Sequence, residues 1–222
     1  QKFSLYDDLS VESNIEFFGG IYGLTADRIN ERMKWVLEMT DLKGREKRLT
    51  RELPGGWKQR LALGCAMLHE PKIIFLDEPT GGVDPVSRRN FWELINDLSE
   101  KGVTVFVTTH YLDEAEYCND IMLIHAGRII AGGSPKDLKN NYIKNKIFEI
   151  SCDNALNVLD VLSSEPYISE ISMFGLKLHI SFKDEQNGIS LLKKASIEKN
   201  ISIKDINEIT PTLEDVFIRL IE

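Results

Sequence analysis

The sequence predicts an α/β protein with three parts: an all-helical segment, a core built on a parallel strand–helix–strand unit, and a small α+β module at the end. Three observations carry that prediction. Ile73-Ile74-Phe75-Leu76 is an apolar run too short for a helix and suited to a buried strand, and it leads straight into Asp77-Glu78-Pro79. A helical pattern from Val86 and a second apolar run, Val103–Val107, follow it, so one crossover joins two parallel strands, a connection that is right-handed by rule. From Ile147 onward the chain reads strand, helix, strand, strand, helix, strand, the order of a ferredoxin-like module.

A parallel pair presents the C-terminal ends of both strands on one sheet edge, where open α/β sheets keep their ligands. Asp77, Glu78 and His110 are expected there. The first acid can hold a metal, and the second can orient or deprotonate a water. The plainer alternative is a strand that ends in a solvated acidic turn.

At 222 residues, 42% hydrophobic and 28% charged, the chain has the composition of a globular protein able to bury a core. A net charge of −8 with no basic stripe argues against nucleic acid as a partner. The three cysteines, Cys65, Cys118 and Cys152, show no C-x-x-C spacing, and an odd count suits a reducing compartment. No apolar run approaches the roughly 18–20 residues that span a bilayer, and no signal peptide is seen.

Taken in order, Ser10 caps a helix from Val11 that Gly19, Gly20 and Gly23 close, and Thr25 caps a second through Met39. Residues 41–51 form a polar connector. Leu53-Pro54-Gly55-Gly56-Trp57 opens a third helix, and two glycines there leave bare amides at the positive end of its dipole, a phosphate site or an ordinary turn. Gly81-Gly82-Val83-Asp84 is a tight loop before the crossover helix. Ile121–Ile124 and Arg128–Ala131 flank His125-Ala126-Gly127 as a β-hairpin, and a short helix spans about 136–141. A polar linker at 140–146 divides a first domain, 1–140 with a helical part over about 7–70, from a module at 146–222. Within that module strands are expected at 147–152, 168–182 as a pair, and 201–206. Helices are expected at 155–162 and 189–199, and Thr212 to Asp215 caps a terminal helix.

The joint spacing of these motifs resembles the ATP-binding subunit of an ABC transporter. LPGGW at 53–57 is similar to the family signature LSGGQ, and IIFLDEP at 73–79 to its Walker B strand. GGVD at 81–84 resembles the D-loop, His110 the switch histidine and Gln1 the Q-loop glutamine, while PTLEDVFIRL at 211–220 resembles the close of drug and polysaccharide exporter subunits. The resemblance implies a partial P-loop (RecA-like) ATPase core using ATP and Mg²⁺. It implies Asp77 and Gln1 at the metal, Glu78 polarising water and His110 sensing the γ-phosphate. Pro54, Gly55, Gly56 and Trp57 would face a nucleotide held by a second subunit, with Asp84 coupling the two sites. It further implies a homodimer docked on membrane permease subunits at the cytoplasmic face, energising export.

Two departures stand out. Pro54 replaces the signature serine and Trp57 the usual glutamine, which predicts weaker transition-state contact by about 1–3 kcal/mol per lost charged hydrogen bond. No G-x-x-x-x-G-K-[ST] occurs, which predicts a chain truncated ahead of its Q-loop, inactive alone and exposing a sheet edge prone to self-association. A degenerate, non-hydrolysing dimerisation module and a soluble ABC-type ATPase acting on nucleic acid are the competing expectations.

Overall fold

The computed structural model describes residues 5–221. The chain forms two compact units, Gln1–Tyr111 and Leu112–Glu222. In the first, helix α1 (Val11–Ile21) begins where the Ser10 side chain accepts the Ser13 N–H, and α2 (Ala26–Met39) where Thr25 accepts that of Arg28. Gly19 and Gly20 lie inside α1 rather than closing it. A side chain at Gly19 would sit 2.7 Å from Ile29 Cγ1, so this glycine serves the close approach of α1 to the start of α2. Helix α3 (Gly55–Ala66) completes the group, with Val11, Ile15, Val36, Leu37, Leu42, Leu53, Leu61, Cys65 and Leu68 as its shared core.

Buried polar groups pin this helical group together. Asn14 accepts the Tyr6 N–H at 2.9 Å and donates to Tyr6 O at 3.0 Å and Thr50 Oγ1 at 2.9 Å, which fixes the incoming chain against α1. Arg32, buried on α2, donates to Leu68 O at 3.2 Å and to Met67 O at 2.9 Å, the latter also accepting the Glu70 N–H at 3.1 Å, and so ties α2 to the chain just past α3. Burial pushes the Cys65 thiol up to about 12, which leaves it a packing group and not a reactive one.

The crossover follows as β1 (Ile73–Asp77), α4 (Pro85–Glu100) and β2 (Thr104–Thr108), with β1 and β2 parallel in the register Ile73↔Thr104 through Asp77↔Thr108. The apolar runs were expected to be buried strands, and alternate residues of both are open instead. Ile74 is 6% exposed, whereas Ile73, Phe75 and Phe106 are 55%, 76% and 47% exposed. Alternation along a strand sends neighbours to opposite faces, and within this unit α4 packs on β2 from one side.

The second unit opens with α5 (Leu112–Ala115), then the antiparallel hairpin β3 (Ile121–His125) and β4 (Arg128–Gly133), then α6 (Pro135–Tyr142) capped by Ser134. The hairpin turn uses two left-handed residues, Ala126 at φ 47° and Gly127 at φ 75°. Strands β5 (Ile147–Cys152), β6 (Ile168–Phe174), β7 (Lys177–Phe182) and β8 (Ile203–Ile209) pair in the order β6-β7-β5-β8, all antiparallel. Helices α7 (Ala155–Leu162) and α8 (Glu185–Glu198) connect them, and this is the ferredoxin-like arrangement expected from the element order. Its core is built from residues including Phe148, Ile150, Leu162, Ile180, Phe182 and Leu192. The division between units falls at Tyr111/Leu112, ahead of the 140/146 boundary read from composition. The reason is packing: Leu123, Ala131 and Leu138 share a core with Leu213 and Val216 of the terminal helix α9 (Leu213–Ile221). No helix among the described residues is long and apolar enough to cross a membrane.

Helix α9 is tied to the sheet by a buried pair. Asp215 accepts from His179 Nδ1 at 2.7 Å, and its other oxygen accepts from the Thr212 N–H at 2.7 Å and hydroxyl at 2.8 Å. Burial alone would raise the Asp215 carboxyl, but the hydrogen bonds from His179 and Thr212 and the charge of His179 hold it below the usual range. A lowered carboxylate contributes stability that is fully present above its unfolded pKa, roughly 3.9, and is lost as pH falls through the folded value. Asp215→Asn should therefore cost about 2 kcal/mol in urea unfolding at pH 7, and the gap to the parent chain should close as the pH drops below the folded pKa. A gap that stays constant across that range would show that the ionised carboxylate contributes nothing.

Candidate functional site

The parallel register places the last residue of β1 directly beside the last residue of β2. Thr108 Oγ1 donates to Asp77 Oδ1 at 2.5 Å. One residue on, the Glu78 N–H donates to Thr108 O at 3.0 Å and lies 3.3 Å from Thr108 Oγ1, which extends the pairing past the strand end. Glu78 takes a left-handed backbone, φ 46°, a conformation that costs a side-chain-bearing residue about 1–2 kcal/mol. That turn carries its carboxylate to His110, whose Nδ1 lies 2.5 Å from Glu78 Oε2. An ionised carboxylate only accepts, so in this pair Nδ1 carries the proton. The predicted trio of Asp77, Glu78 and His110 is thus gathered on one sheet edge.

Neighbours hold the histidine in place. Its ring lies against Tyr111 at 4.0 Å between centroids, and the Arg88 guanidinium of α4 sits over the Tyr111 ring at 4.4 Å. Thr109 Oγ1 accepts the Tyr111 N–H at 3.1 Å and tightens the turn that presents His110. Thr108, Tyr111 and Arg88 were not legible as site residues. A threonine at a strand end and a tyrosine after a histidine are common, and only register and packing give them partners.

The signature-like loop behaves differently. Pro54 is the N-cap of α3 and makes no side-chain capping bond. Pro54 O takes the N–H groups of Trp57 at 3.0 Å and Lys58 at 3.1 Å, so the amides of Gly55 and Gly56 precede the helical ladder. The Trp57 ring turns inward against the helical core, with the Arg45 guanidinium stacked on it at 3.7 Å. Gly56 faces α4, where a Cβ would lie 2.6 Å from Ser87 Cβ and 2.6 Å from Ser87 Oγ. Asp84, the expected coupling residue, is the N-cap of α4 and accepts from Val86 N at 3.1 Å and Ser87 N at 3.0 Å. Its hydrogen bonds to Ser87 are the main cause that lowers its pKa. Signature and D-loop residues therefore meet at the start of α4. Gln1 lies outside the described residues.

Metal fit follows from donor chemistry. The strand ends offer the Asp77 and Glu78 carboxylates, both hard oxygen donors, with the Thr108 hydroxyl engaged on Asp77 Oδ1. Among the described residues no group of three or more His, Cys, Asp or Glu gathers as a cage. That set suits Mg²⁺, which is held through one or two carboxylates and completes its shell with phosphate and water.

The family model described as "ABC transporter" matches residues 1–81, and that described as "ATP-binding protein DrrA1-3-like, C-terminal domain" matches 133–221. The chain is 57% identical over 139 residues to the probable multidrug ABC transporter ATP-binding protein YbhF of Escherichia coli (strain K12), which covers 63% of this chain and 24% of YbhF. It is 31% identical over 224 residues to the linearmycin resistance ATP-binding protein LnrL of Bacillus subtilis (strain 168), covering 99% of this chain and 72% of that protein. The Nod factor export ATP-binding protein I of Rhizobium sp. (strain N33) is 32% identical, with 98% and 69% covered. Among solved structures, cbiO1 of Clostridium perfringens, part of the ABC transporter complex cbiONQ, aligns with TM-score 0.57 and 30% identity over 61% of this chain and 54% of its own. The ADP conformation of the ATP-binding cassette MJ1267 aligns with TM-score 0.55 and 25% identity over 62% and 59%. The chain thus spans only 24% of the length of YbhF and 54% of that of cbiO1. These matches correct one expectation. The ABC transporter model is met from the first residue and the C-terminal model reaches 221, so the reading of a chain cut short ahead of its Q-loop is withdrawn, and with it the inactivity inferred from that reading.

The two signature glycines should respond differently to a methyl group. A Cβ at Gly55 meets nothing within 4 Å, while one at Gly56 must displace Ser87 from the first turn of α4. Gly56→Ala should lower stability to urea by about 1–3 kcal/mol and Gly55→Ala by less than about 1 kcal/mol. Equal losses would mean that Gly56 is not packed against α4.

Proposed function

The chain belongs to the family of ABC transporter ATP-binding proteins, and on that footing we propose that it binds and hydrolyses ATP with Mg²⁺ to energise export through a separate membrane permease. The observation that carries this reading is the Glu78–His110 pair at 2.5 Å beside the Asp77–Thr108 pair, both on one sheet edge. Bound Mg²⁺ would supply charge neutralisation on the phosphates. Asp77 would hold the ion. Glu78 would orient and polarise the attacking water, with its carboxylate fixed by His110, and His110 would sense the terminal phosphate. The amides of Gly55 and Gly56, exposed ahead of the α3 ladder, would donate to the γ-phosphate of a nucleotide carried by a second subunit, flanked by Pro54 and Trp57. Asp84 would link the two sites through the first turn of α4, and Gln1 would serve the metal and the permease. Phosphoryl transfer depends mainly on such positioning and charge stabilisation.

This reading makes the working unit a dimer on the cytoplasmic face of a membrane. Residues 1–140 act as the ATPase domain and 146–222 as an accessory module, a division of function that does not follow the packing boundary at Tyr111/Leu112. Export as the direction is supported by the names of the relatives, which concern resistance and Nod factor export. A degenerate, non-hydrolysing module is the second reading, favoured by Pro54, which brings neither a side-chain cap nor an N–H to the signature.

Glu78→Gln separates the two. It should retain ATP binding, give a stable ATP-bound dimer on size exclusion and lower turnover at least about 100-fold, the scale of losing a positioned base. Unchanged turnover would remove Glu78 from its role, and absent turnover in the parent protein would favour the degenerate module. Pro54→Ser should raise ATPase activity, roughly tenfold if one charged hydrogen bond is restored; an unchanged rate would show that the proline costs nothing.

A further inference from the structure

We propose that Thr108 is the positioning residue of the acid pair: its single hydroxyl sets the rotation of the Asp77 carboxylate and braces the left-handed backbone of Glu78. Three observations converge on it. The register pairs Thr108 with Asp77 and with no other residue of β1. Its hydroxyl donates to Asp77 Oδ1 at 2.5 Å, a short charge-assisted bond. The same oxygen lies 3.3 Å from the Glu78 N–H, which also reaches Thr108 O at 3.0 Å, at the point where the chain enters φ 46°.

Chemistry explains the residue type. A hydroxyl is donor and acceptor at once, so one atom can serve a carboxylate and an amide N–H, which neither a carboxylate nor an ammonium could do. The β-branch stiffens χ1 and keeps the hydroxyl aimed. Asp77 and Thr108 are both exposed, so water competes for this bond, and its main effect is expected on geometry rather than on fold stability. Thr109, next in sequence, turns the other way and accepts the Tyr111 N–H at 3.1 Å. Two adjacent threonines therefore divide the work: Thr108 holds the acids and Thr109 the turn that presents His110. The functional consequence rests on the ATPase reading; the positioning itself does not.

The test uses the full chain with Thr108→Val, which keeps shape and strand preference but loses the hydroxyl, and Thr108→Ser, which keeps the hydroxyl. The first readout needs no nucleotide. The ¹³C resonance of the Asp77 carboxyl carbon should move in Thr108→Val and return to the parent position in Thr108→Ser. The second readout is Mn²⁺ titrated in the presence of ATP and followed by electron paramagnetic resonance. Affinity should fall about tenfold in Thr108→Val and stay within about twofold in Thr108→Ser. An unmoved carboxyl resonance in Thr108→Val overturns the proposal. A moved resonance with unchanged Mn²⁺ affinity overturns its functional half. If the resonance behaves as expected while the parent chain holds no Mn²⁺ with ATP, the positioning stands and the ATPase reading fails.

Discussion

The parallel register of β1 against β2 is the constraint on which the site depends. Pairing Asp77 with Thr108 brings the two strand ends level, so that one further residue on β1 and two on β2 are enough to bring Glu78 and His110 within 2.5 Å. A slip by one residue would turn Asp77 to the opposite face and separate it from the Thr108 hydroxyl. The crossover helix α4 secures that register from one side only, which is why alternate residues of both strands remain open. Strain at Glu78 is part of the same arrangement, since a left-handed residue just past the strand is what redirects the second acid toward the histidine.

Helix α4 is also where the other motifs converge. Its N-cap is Asp84, its first turn meets Gly56 through Ser87, and its second turn reaches the Tyr111 ring through Arg88. One helix thus touches the signature-like loop, the GGVD loop and the residue beside His110. As the N-cap of α4, Asp84 orders the loop that carries it. Trp57, at the signature-like loop, packs its ring on the helical core with the Arg45 guanidinium stacked on it.

The second unit is held by a different device. One face of its four-stranded sheet is apolar and covered by α7 and α8, while the other carries His179, which meets Asp215 of α9 in a buried, hydrogen-bonded pair. The pair fixes how α9 meets the sheet, and breaking it leaves a buried group without its partner. The apolar cluster shared by α6, the hairpin and α9 completes the attachment and sets the boundary between units.

Much of this was legible in the chain itself. Ser10 and Thr25 as caps, the βαβ crossover, the hairpin at Gly127 and the ferredoxin-like order all follow from local chemistry and periodicity, and so does the placing of Asp77, Glu78 and His110 on one edge. These are properties of short windows, where side-chain shape and spacing decide the outcome. Only the tertiary structure decided which faces of β1 and β2 are covered, where the units divide, that Trp57 and Gly56 turn into packing, and that Thr108, Tyr111, His179 and Asp215 have partners. Each of those depends on residues tens of positions apart in the chain meeting at hydrogen-bond or van der Waals distance, and no local pattern encodes that meeting.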